Sequence, residues 1–415
     1  MYNKHFDDVL SFINTYNKLI NCHVVDFITD NLWETCLPVA LRSELERNDI
    51  DCTYWTENDN YPILNNFVKL TKSLSLQSCS VEITSEDLTD VLPNITNNVE
   101  YRCKNTKTEF MNAKKFHEVE SLGNIVGTVA ASTGSLVIDA GAGKAYLSTF
   151  LAEDYKVPVL AIDSSQSCCK GAIYRRIKLK KKTDSQNLVQ YVVEEINEKT
   201  DYLKMVKQNF GNWNLDKNLI LTGLHTCGFL THSVIETFLT TEDIHFLCIV
   251  PCCYHLTTET FNKRIHFSKN ARMLAQQSIE RSTENKFISS SLFYRAILQV
   301  ILHSIGIYNA RVGRKGPLHD FPSYAQWAFS RIGVESGKIP SLEELENTYQ
   351  FYAHLTKRFC TFQMLRVHVG LVLEAAIMLD RILFLQKSNR CSKLAILRLF
   401  DPVLSPRHYG IIAIK

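Results

Sequence analysis

Residues 136–146 read LVIDAGAGKAY, a short apolar run that ends in an aspartate and then opens into two glycines. Branched apolar residues that do not alternate with polar ones predict a strand buried on both faces, as in a parallel sheet. Glycine lets the backbone approach a ligand closely, and the helix expected next presents free N–H groups at its start. The stretch therefore predicts a ligand-binding loop between a first strand and a helix.

Further apolar runs of similar length follow at intervals that suit helices. They are VPVLAID (157–163), LVQYVVEE (188–195), NLILTGLH (218–225) and IHFLCIVP (244–251), and a final pair of runs lies in 394–415. Strands that alternate with helices form a parallel sheet covered on both faces. We therefore predict an α/β, doubly wound, Rossmann-like architecture.

The glycine loop distinguishes between the ligands that such a sheet can hold. A dinucleotide fingerprint needs a third glycine where Tyr146 stands, and a P-loop needs a glycine where Ile138 stands. The remaining pattern, D-x-G-x-G at Asp139, Gly141 and Gly143, is typical of S-adenosylmethionine-dependent methyltransferases. The loop thus predicts S-adenosyl-L-methionine as the cofactor.

An acid at the end of the second run supports this interpretation. Asp163 follows Asp139 by 24 residues, and a carboxylate there can accept hydrogen bonds from both ribose hydroxyls. The alternative is a structural glycine turn with Asp163 capping a helix. The predicted cofactor-binding residues are Asp139, Gly141, Gly143, Asp163 and Ser164.

Motifs along residues 110–415 carry a family resemblance. The motifs are HEVESL, IDSSQ, GLHTCG, CCYHLTTE, ARMLAQQ, VGRKG and LFDPVLSPRHYGIIAIK. They resemble the methyltransferase-like protein 25 family, also described as ribosomal RNA adenine dimethylase domain-containing proteins. The resemblance implies a class I methyltransferase whose seven strands follow the order 3-2-1-4-5-7-6.

The domain organisation follows from this resemblance and from the apolar periodicity. We expect a helical N-terminal accessory region at 1–109 and a cofactor-binding core at 110–260. A helical insertion should occupy 261–384, and a terminal strand pair at 385–415 should complete the core sheet.

In the implied strand order the fourth and fifth strands are neighbours, so GLHTCG (223–228) and PCCYH (251–255) should end side by side. An acceptor would meet the methyl group at this edge of the sheet. We predict catalytic roles for His225, Cys252, Tyr254 and His255. The predicted substrate contacts are Cys227, Cys253, Arg314 and Lys315.

Several chemistries remain open for this cluster. An imidazole could remove a proton from a hydroxyl or ring nitrogen, or a thiolate could attack a pyrimidine ring, as Thr226-Cys227 and Pro251-Cys252 suggest on exchanged strands. Zinc is disfavoured because H-x-C and C-C lack the usual ligand spacers, so no metal is expected. Buried cysteines that only pack, with His255 capping a helix, are a further alternative.

The substrate class is predicted less directly. The pattern HxCG followed by CCHH occurs in tRNA ribose methyltransferases that act on the acceptor stem, and GLHTCG with PCCYH is similar to it. Adenine amino methylation is disfavoured because Pro251 stands where Asn or Asp is needed. RNA is therefore the leading substrate, while a protein substrate or a non-catalytic, cofactor-binding scaffold remains an alternative.

Composition indicates the class of protein, its charge and its expected location. The 45% hydrophobic and 21% charged residues describe a globular chain, and the net charge of +3 means that RNA would need a local basic patch. Thirteen cysteines without framework spacing favour reduced thiols and an intracellular, cytoplasmic or nuclear, location. Arg295 and Glu374 interrupt the most apolar segments, so no membrane span is expected.

Overall fold

The computed structural model describes residues 2–47, 60–79, 82–83, 111–178, 188–211, 218–257, 259–280, 290–308, 310–313 and 315–415. The chain divides into two compact units, each assembled from separated segments. The sheet unit comprises Met1–Asp7, Leu76–Phe267 and Glu374–Lys415. The helical unit comprises Asp8–Ser75 and Ser268–Leu373.

The strands form one sheet in the sheet unit. In chain order they are β1 (Glu82–Ile83), β2 (Leu136–Ala140), β3 (Val159–Asp163), β4 (Val189–Val193), β5 (Leu219–Cys227), β6 (Ile244–Cys252), β7 (Lys393–Arg398) and β8 (Tyr409–Ile414). Their spatial order is β1-β7-β8-β6-β5-β2-β3-β4, and β8 alone is antiparallel to its neighbours. Apart from the two-residue β1, this is the order 3-2-1-4-5-7-6. The predicted class I fold is confirmed.

Helices account for most of the remaining described residues. They are α1 (Tyr2–Thr15), α2 (Asn17–Asn21), α3 (Leu32–Cys36), α4 (Val39–Arg47), α5 (Pro62–Ser73), α6 (Ala113–Thr133), α7 (Tyr146–Asp154), α8 (Gln166–Lys178), α9 (Tyr202–Phe210), α10 (Leu230–Thr240), α11 (Lys269–Leu274), α12 (Ser290–Ser304), α13 (Phe321–Ile332), α14 (Leu342–Tyr352) and α15 (Thr356–Lys387). This confirms the predicted helical N-terminal region and helical insertion. None of the described helices combines the length and apolar character needed to cross a lipid bilayer.

Helix α6 has local signals at both ends. The side chain of Asn112 accepts a hydrogen bond from the backbone N–H of Lys115, and Gly134 ends the helix in the left-handed conformation. A Cβ at Gly123 would lie 2.4 Å from a ring atom of Phe150. Glycine therefore lets α6 pack closely on α7.

The core lies between this helix pair and one face of the sheet. Val119 of α6 and Phe150 of α7 are buried in the same cluster as Val137, Cys248 and Ile412, which come from three different strands. Burial of such side chains contributes roughly 1.5–3 kcal/mol each. The helix pair is thereby held against the sheet by buried apolar contacts.

Candidate active site

The loop after β2 leaves part of its backbone accessible to a ligand. Gly141 and Ala142 donate their backbone N–H groups to the carbonyl of Ile162 at 2.9 and 3.0 Å, which ties the loop to β3. Gly141 has φ +72°, and a Cβ there would lie 2.8 Å from Leu230. Gly143 has φ +55°, and a Cβ there would meet no atom within 4 Å. The loop thus has a left-handed backbone with free space in front of Gly143.

Asp163 connects the loop with the end of β3. Its Oδ2 accepts a hydrogen bond from the N–H of Gly143, and its Oδ1 accepts one from the N–H of Ser165, both at 2.8 Å. A carboxylate oxygen has two acceptor positions, so each oxygen can still accept a ligand hydroxyl. The carboxylate of Asp163 is therefore held in a fixed position with acceptor capacity left.

Asp139 is the buried acid of the loop. Its Oδ2 accepts a hydrogen bond from the hydroxyl of Ser148 at 2.6 Å. Burial raises the pKa of Asp139 to about 6, although the bonds from Ser148 act in the opposite direction. A positively charged ligand nearby would favour the ionised form.

These residues surround one cavity of about 630 Å³ in the sheet unit. All five predicted cofactor-binding residues line it, and His225 and Cys227 line it as well. Glu194, Glu195 and Phe229 also line the cavity, although sequence reasoning did not select them. The two glutamates end the apolar run at 188–195, so the reasoning that selected Asp163 could also have found them.

His225 lies at the cavity beside a buried carboxylate. Its Nε2 is 3.2 Å from Oε2 of Glu118, which is 1% exposed. The hydroxyl of Ser405 donates to Oε1 of Glu118 at 2.8 Å. The ammonium group of Lys115 lies 3.3 Å from Oε2 of Glu118. A carboxylate only accepts, so Nε2 of His225 carries a hydrogen, and in the neutral imidazole Nδ1 has the lone pair.

Glu118 stays ionised in this environment. Burial alone would raise its pKa, but the hydrogen bond from His225, the positive charge that this imidazole carries when it is protonated and the hydrogen bond from Ser405 together lower the pKa to about 2. A permanent negative charge therefore lies behind the imidazole. Ser405 was not predicted as a site residue from the sequence.

The three predicted thiols come together where β5 and β6 end. Cys227 and Cys252 are paired in the sheet, and their Sγ atoms lie 2.9 Å apart. The Sγ of Cys253 is 3.8 Å from that of Cys252. The bond from Cys227 raises the pKa of Cys252, whereas the bond from Cys252 lowers that of Cys253.

Other predicted residues do not meet at the cavity. Tyr254 and His255 are absent from the described residues that line it. Tyr254 is only 2% exposed, and its hydroxyl donates to Glu374 at 3.0 Å. Burial and the charge of Glu374 raise the pKa of Tyr254 well above its usual range. This contact favours a structural role for Tyr254.

The structure places only one of the two predicted substrate contacts in the VGRKG turn. Lys315 belongs to the helical unit, is exposed and has φ +73°. Arg314 lies outside the described residues.

Comparisons with known proteins agree with this geometry. A family profile described as "Methyltransferase domain" matches residues 114–260, and that fold implies S-adenosylmethionine as the cofactor. "Probable methyltransferase-like protein 25" of Homo sapiens is 26% identical, covering 98% of this chain and 96% of its own. The Mus musculus protein of the same name is 24% identical, with 98% and 95% covered.

One solved structure spans 98% of both chains, that of a coclaurine N-methyltransferase bound to N-methylheliamine and SAH. Its identity of 12% and TM-score of 0.23 support no statement about this fold, which is defined by its own strand order. The expected resemblance is confirmed by the two relatives and the matching domain. This chain therefore contains a methyltransferase domain with a class I fold, and it is similar to methyltransferase-like protein 25 along nearly its whole length.

Proposed function

We propose that this chain transfers a methyl group from S-adenosylmethionine to RNA, with His225 as the general base. The observation that carries the proposal is the hydrogen bond between His225 and the buried Glu118, at the cavity that the glycine loop lines. A base that removes a proton must lie near both the cofactor and the acceptor. Of the four predicted catalytic residues, His225 is the one that lines the cavity.

The residues of the cavity fit the cofactor. The space in front of Gly143 admits a ligand against the backbone, and Asp163 offers acceptors for two hydroxyl groups. Asp139 adds a carboxylate that suits a cationic ligand. When bound, S-adenosylmethionine supplies an electrophilic methyl group on a sulfonium.

The tautomer that Glu118 selects leaves one nitrogen of the imidazole free for proton removal. Nε2–H of His225 donates to Glu118, so the lone pair of Nδ1 can accept the proton of an acceptor hydroxyl or ring nitrogen. The imidazolium formed is stabilised by the negative charge of Glu118. In-line displacement then needs only that the acceptor is held within reach of the cavity.

Two surface features support RNA as the acceptor. Phe229 lines the cavity with 43% of its surface exposed, which suits stacking against an unpaired base. Lys114 and Lys115, on the first turn of α6, keep 46% and 30% of their side chains exposed and can contact phosphates. The similarity of the two strand-end motifs to tRNA ribose methyltransferases points the same way.

A location in the cytoplasm or nucleus belongs to the same proposal. The cysteines that the structure describes, eleven in all, are free thiols. Reduced thiols are typical of these compartments, where RNA substrates are also found.

The cofactor part is tested by calorimetry. We expect S-adenosylmethionine to bind the wild type, and at least tenfold more weakly to Asp163→Ala because the ribose loses its acceptors. The control variant Asp243→Asn, in a turn that does not line the cavity, should bind like the wild type. Equal affinities of Asp163→Ala and wild type would refute the cofactor assignment.

The acceptor part is tested with radiolabelled methyl transfer into extracts of cells that lack the protein. We expect label that nuclease removes, and a loss of about 10²–10⁴-fold in His225→Ala. The control His245→Ala changes an exposed histidine of β6 and should act like the wild type. Label removed by protease alone would overturn the RNA proposal, and no label with intact cofactor binding would indicate a scaffold.

A further inference from the structure

Three thiols converge beside the cavity although they come from two strands. Cys227 ends β5, Cys252 ends β6, and Cys253 follows directly. Their Sγ atoms all lie within 4.8 Å of one another, with separations of 2.9 Å for Cys227 to Cys252 and 3.8 Å for Cys252 to Cys253. Two thiolates on one tetrahedral zinc ion stand about 3.8 Å apart, because each Zn–S bond is about 2.3 Å long. The Cys252–Cys253 separation already has this length, and the Cys227–Cys252 pair would have to open by about 0.9 Å to hold the ion.

The backbone is shaped to bring the thiols to one side. Successive side chains of a strand point to opposite faces, so Cys252 and Cys253 would separate if the strand continued. Cys253 instead has φ +50°, a conformation that is unfavourable for a residue with a Cβ. Gly228 has φ +57° and donates its N–H to the carbonyl of Cys252 at 3.2 Å, which links the two strand ends.

Positive charge lies near the cluster. Arg381 is 3% exposed, and its guanidinium carbon lies 5.6 Å from the ring centroid of Tyr254, the residue that follows Cys253. The guanidinium carbon of Arg407 lies 5.9 Å from the same ring. A divalent ion with three thiolates carries a net charge of −1, and a partly buried charge is stabilised by opposite charge nearby. The two guanidinium groups supply that compensation.

We propose that Cys227, Cys252 and Cys253 bind one zinc ion and leave its fourth coordination position open. Three protein ligands with one open position are typical of catalytic zinc. Since Cys227 also lines the cavity, the ion would lie next to the acceptor side, where it could polarise an oxygen or sulfur of the substrate. The cluster needs no sequence spacers because the pairing of two strands and one left-handed residue bring the ligands together.

The full-length protein, purified under reducing conditions without chelator, tests this site by its metal content. We expect one zinc per chain in the wild type, and less than about a tenth of that in Cys227→Ser and Cys253→Ser. Cys391→Ser changes a cysteine of the same unit outside the cluster, and it should keep its zinc. Cys252 is buried, so the two more accessible cysteines carry the test.

Replacement of zinc by cobalt(II) gives a second readout. Thiolate-to-cobalt charge-transfer absorption should appear in the wild type and Cys391→Ser, and should be lost in Cys227→Ser. A wild type without metal and without this absorption would overturn the proposal, as would equal zinc in Cys227→Ser or a Cys227–Cys252 disulfide in the reduced preparation. Metal content requires neither cofactor nor substrate, so this result is independent of the proposed methyl transfer.

Discussion

The buried charge of Glu118 is stabilised by hydrogen bonds, and it selects the tautomer of His225. A lone carboxylate in the interior would be costly to ionise, but this one accepts hydrogen bonds from His225 and Ser405 and lies near two lysines. The same contacts fix the tautomer of His225. One residue thus supports both the packing of α6 and the proposed chemistry.

Glu118→Gln should lower stability in a way that depends on pH. The pKa of Glu118 falls from 4.5 to about 2 on folding, so its stabilisation is complete above pH 4.5 and disappears as the pH falls toward 2. We expect the variant to be less stable by up to about 3 kcal/mol at pH 7. Denaturant unfolding at pH 7, 4 and 3 measures the difference, which should shrink at the lower values.

A control on the same helix separates this effect from a general loss of helix charge. Glu120→Gln lies two residues further along α6 and should change stability by less than about 0.5 kcal/mol. A deficit in Glu118→Gln that stays constant from pH 7 to pH 3 would contradict the assignment.

Asp139 should make cofactor binding sensitive to pH. With a pKa of about 6 it is largely protonated at pH 5, and a cationic ligand must then displace the proton. We expect the affinity for S-adenosylmethionine to fall toward tenfold per pH unit below pH 6. Calorimetry between pH 5 and 8 checks this, and Asp139→Asn should bind more weakly at pH 8 and show little of the pH dependence.

At the scale of elements, the parts that the sequence predicts are those encoded locally. The apolar runs predict β2 to β6, and the glycine pattern predicts the loop at Gly141 and Gly143, because each signal lies within about ten residues. The pairing of His225 with Glu118 spans 107 residues, and that of Ser405 with Glu118 spans 287. Such contacts depend on how helices pack on the sheet, which periodicity does not encode.

The loop between β2 and α7 can be tested by adding one methyl group. Gly143→Ala places a Cβ in the open space of the cavity at φ +55°, and the left-handed conformation costs about 1 kcal/mol. We expect a folded protein whose affinity for S-adenosylmethionine falls at least tenfold, because the methyl group occupies space that the ligand needs. Calorimetry together with thermal unfolding measures both effects.

Gly333→Ala provides the matched control for this substitution. Gly333 also has a left-handed backbone, with φ +79°, no atom within 4 Å of an added Cβ and a position in the helical unit. It should lose a similar amount of stability and keep full cofactor affinity. Equal binding by the Gly143 and Gly333 variants would show that the cavity in front of Gly143 is not the cofactor site.

At the scale of the whole molecule, the sheet unit joins distant parts of the chain. Strand β8 (Tyr409–Ile414) lies between β6 and β7 and is antiparallel to both. Its partner β6 ends at Cys252, and most of the intervening segment, Ser268–Leu373, belongs to the helical unit. The central strands of the fold therefore cannot all pair until the last residues of the chain are present.

Removal of residues 405–415 should consequently abolish the sheet unit rather than trim its edge. It deletes Ile411 and Ile412, both fully buried, together with the pairing of β8 with β6 and with β7 and the Ser405 bond to Glu118. Since each buried isoleucine alone accounts for about 2–5 kcal/mol, the combined loss exceeds the stability of an ordinary domain. We expect no cofactor binding by calorimetry and no native near-ultraviolet circular dichroism. Removal of Lys415 alone should preserve both, and a truncated chain that binds S-adenosylmethionine like the full chain would contradict this account.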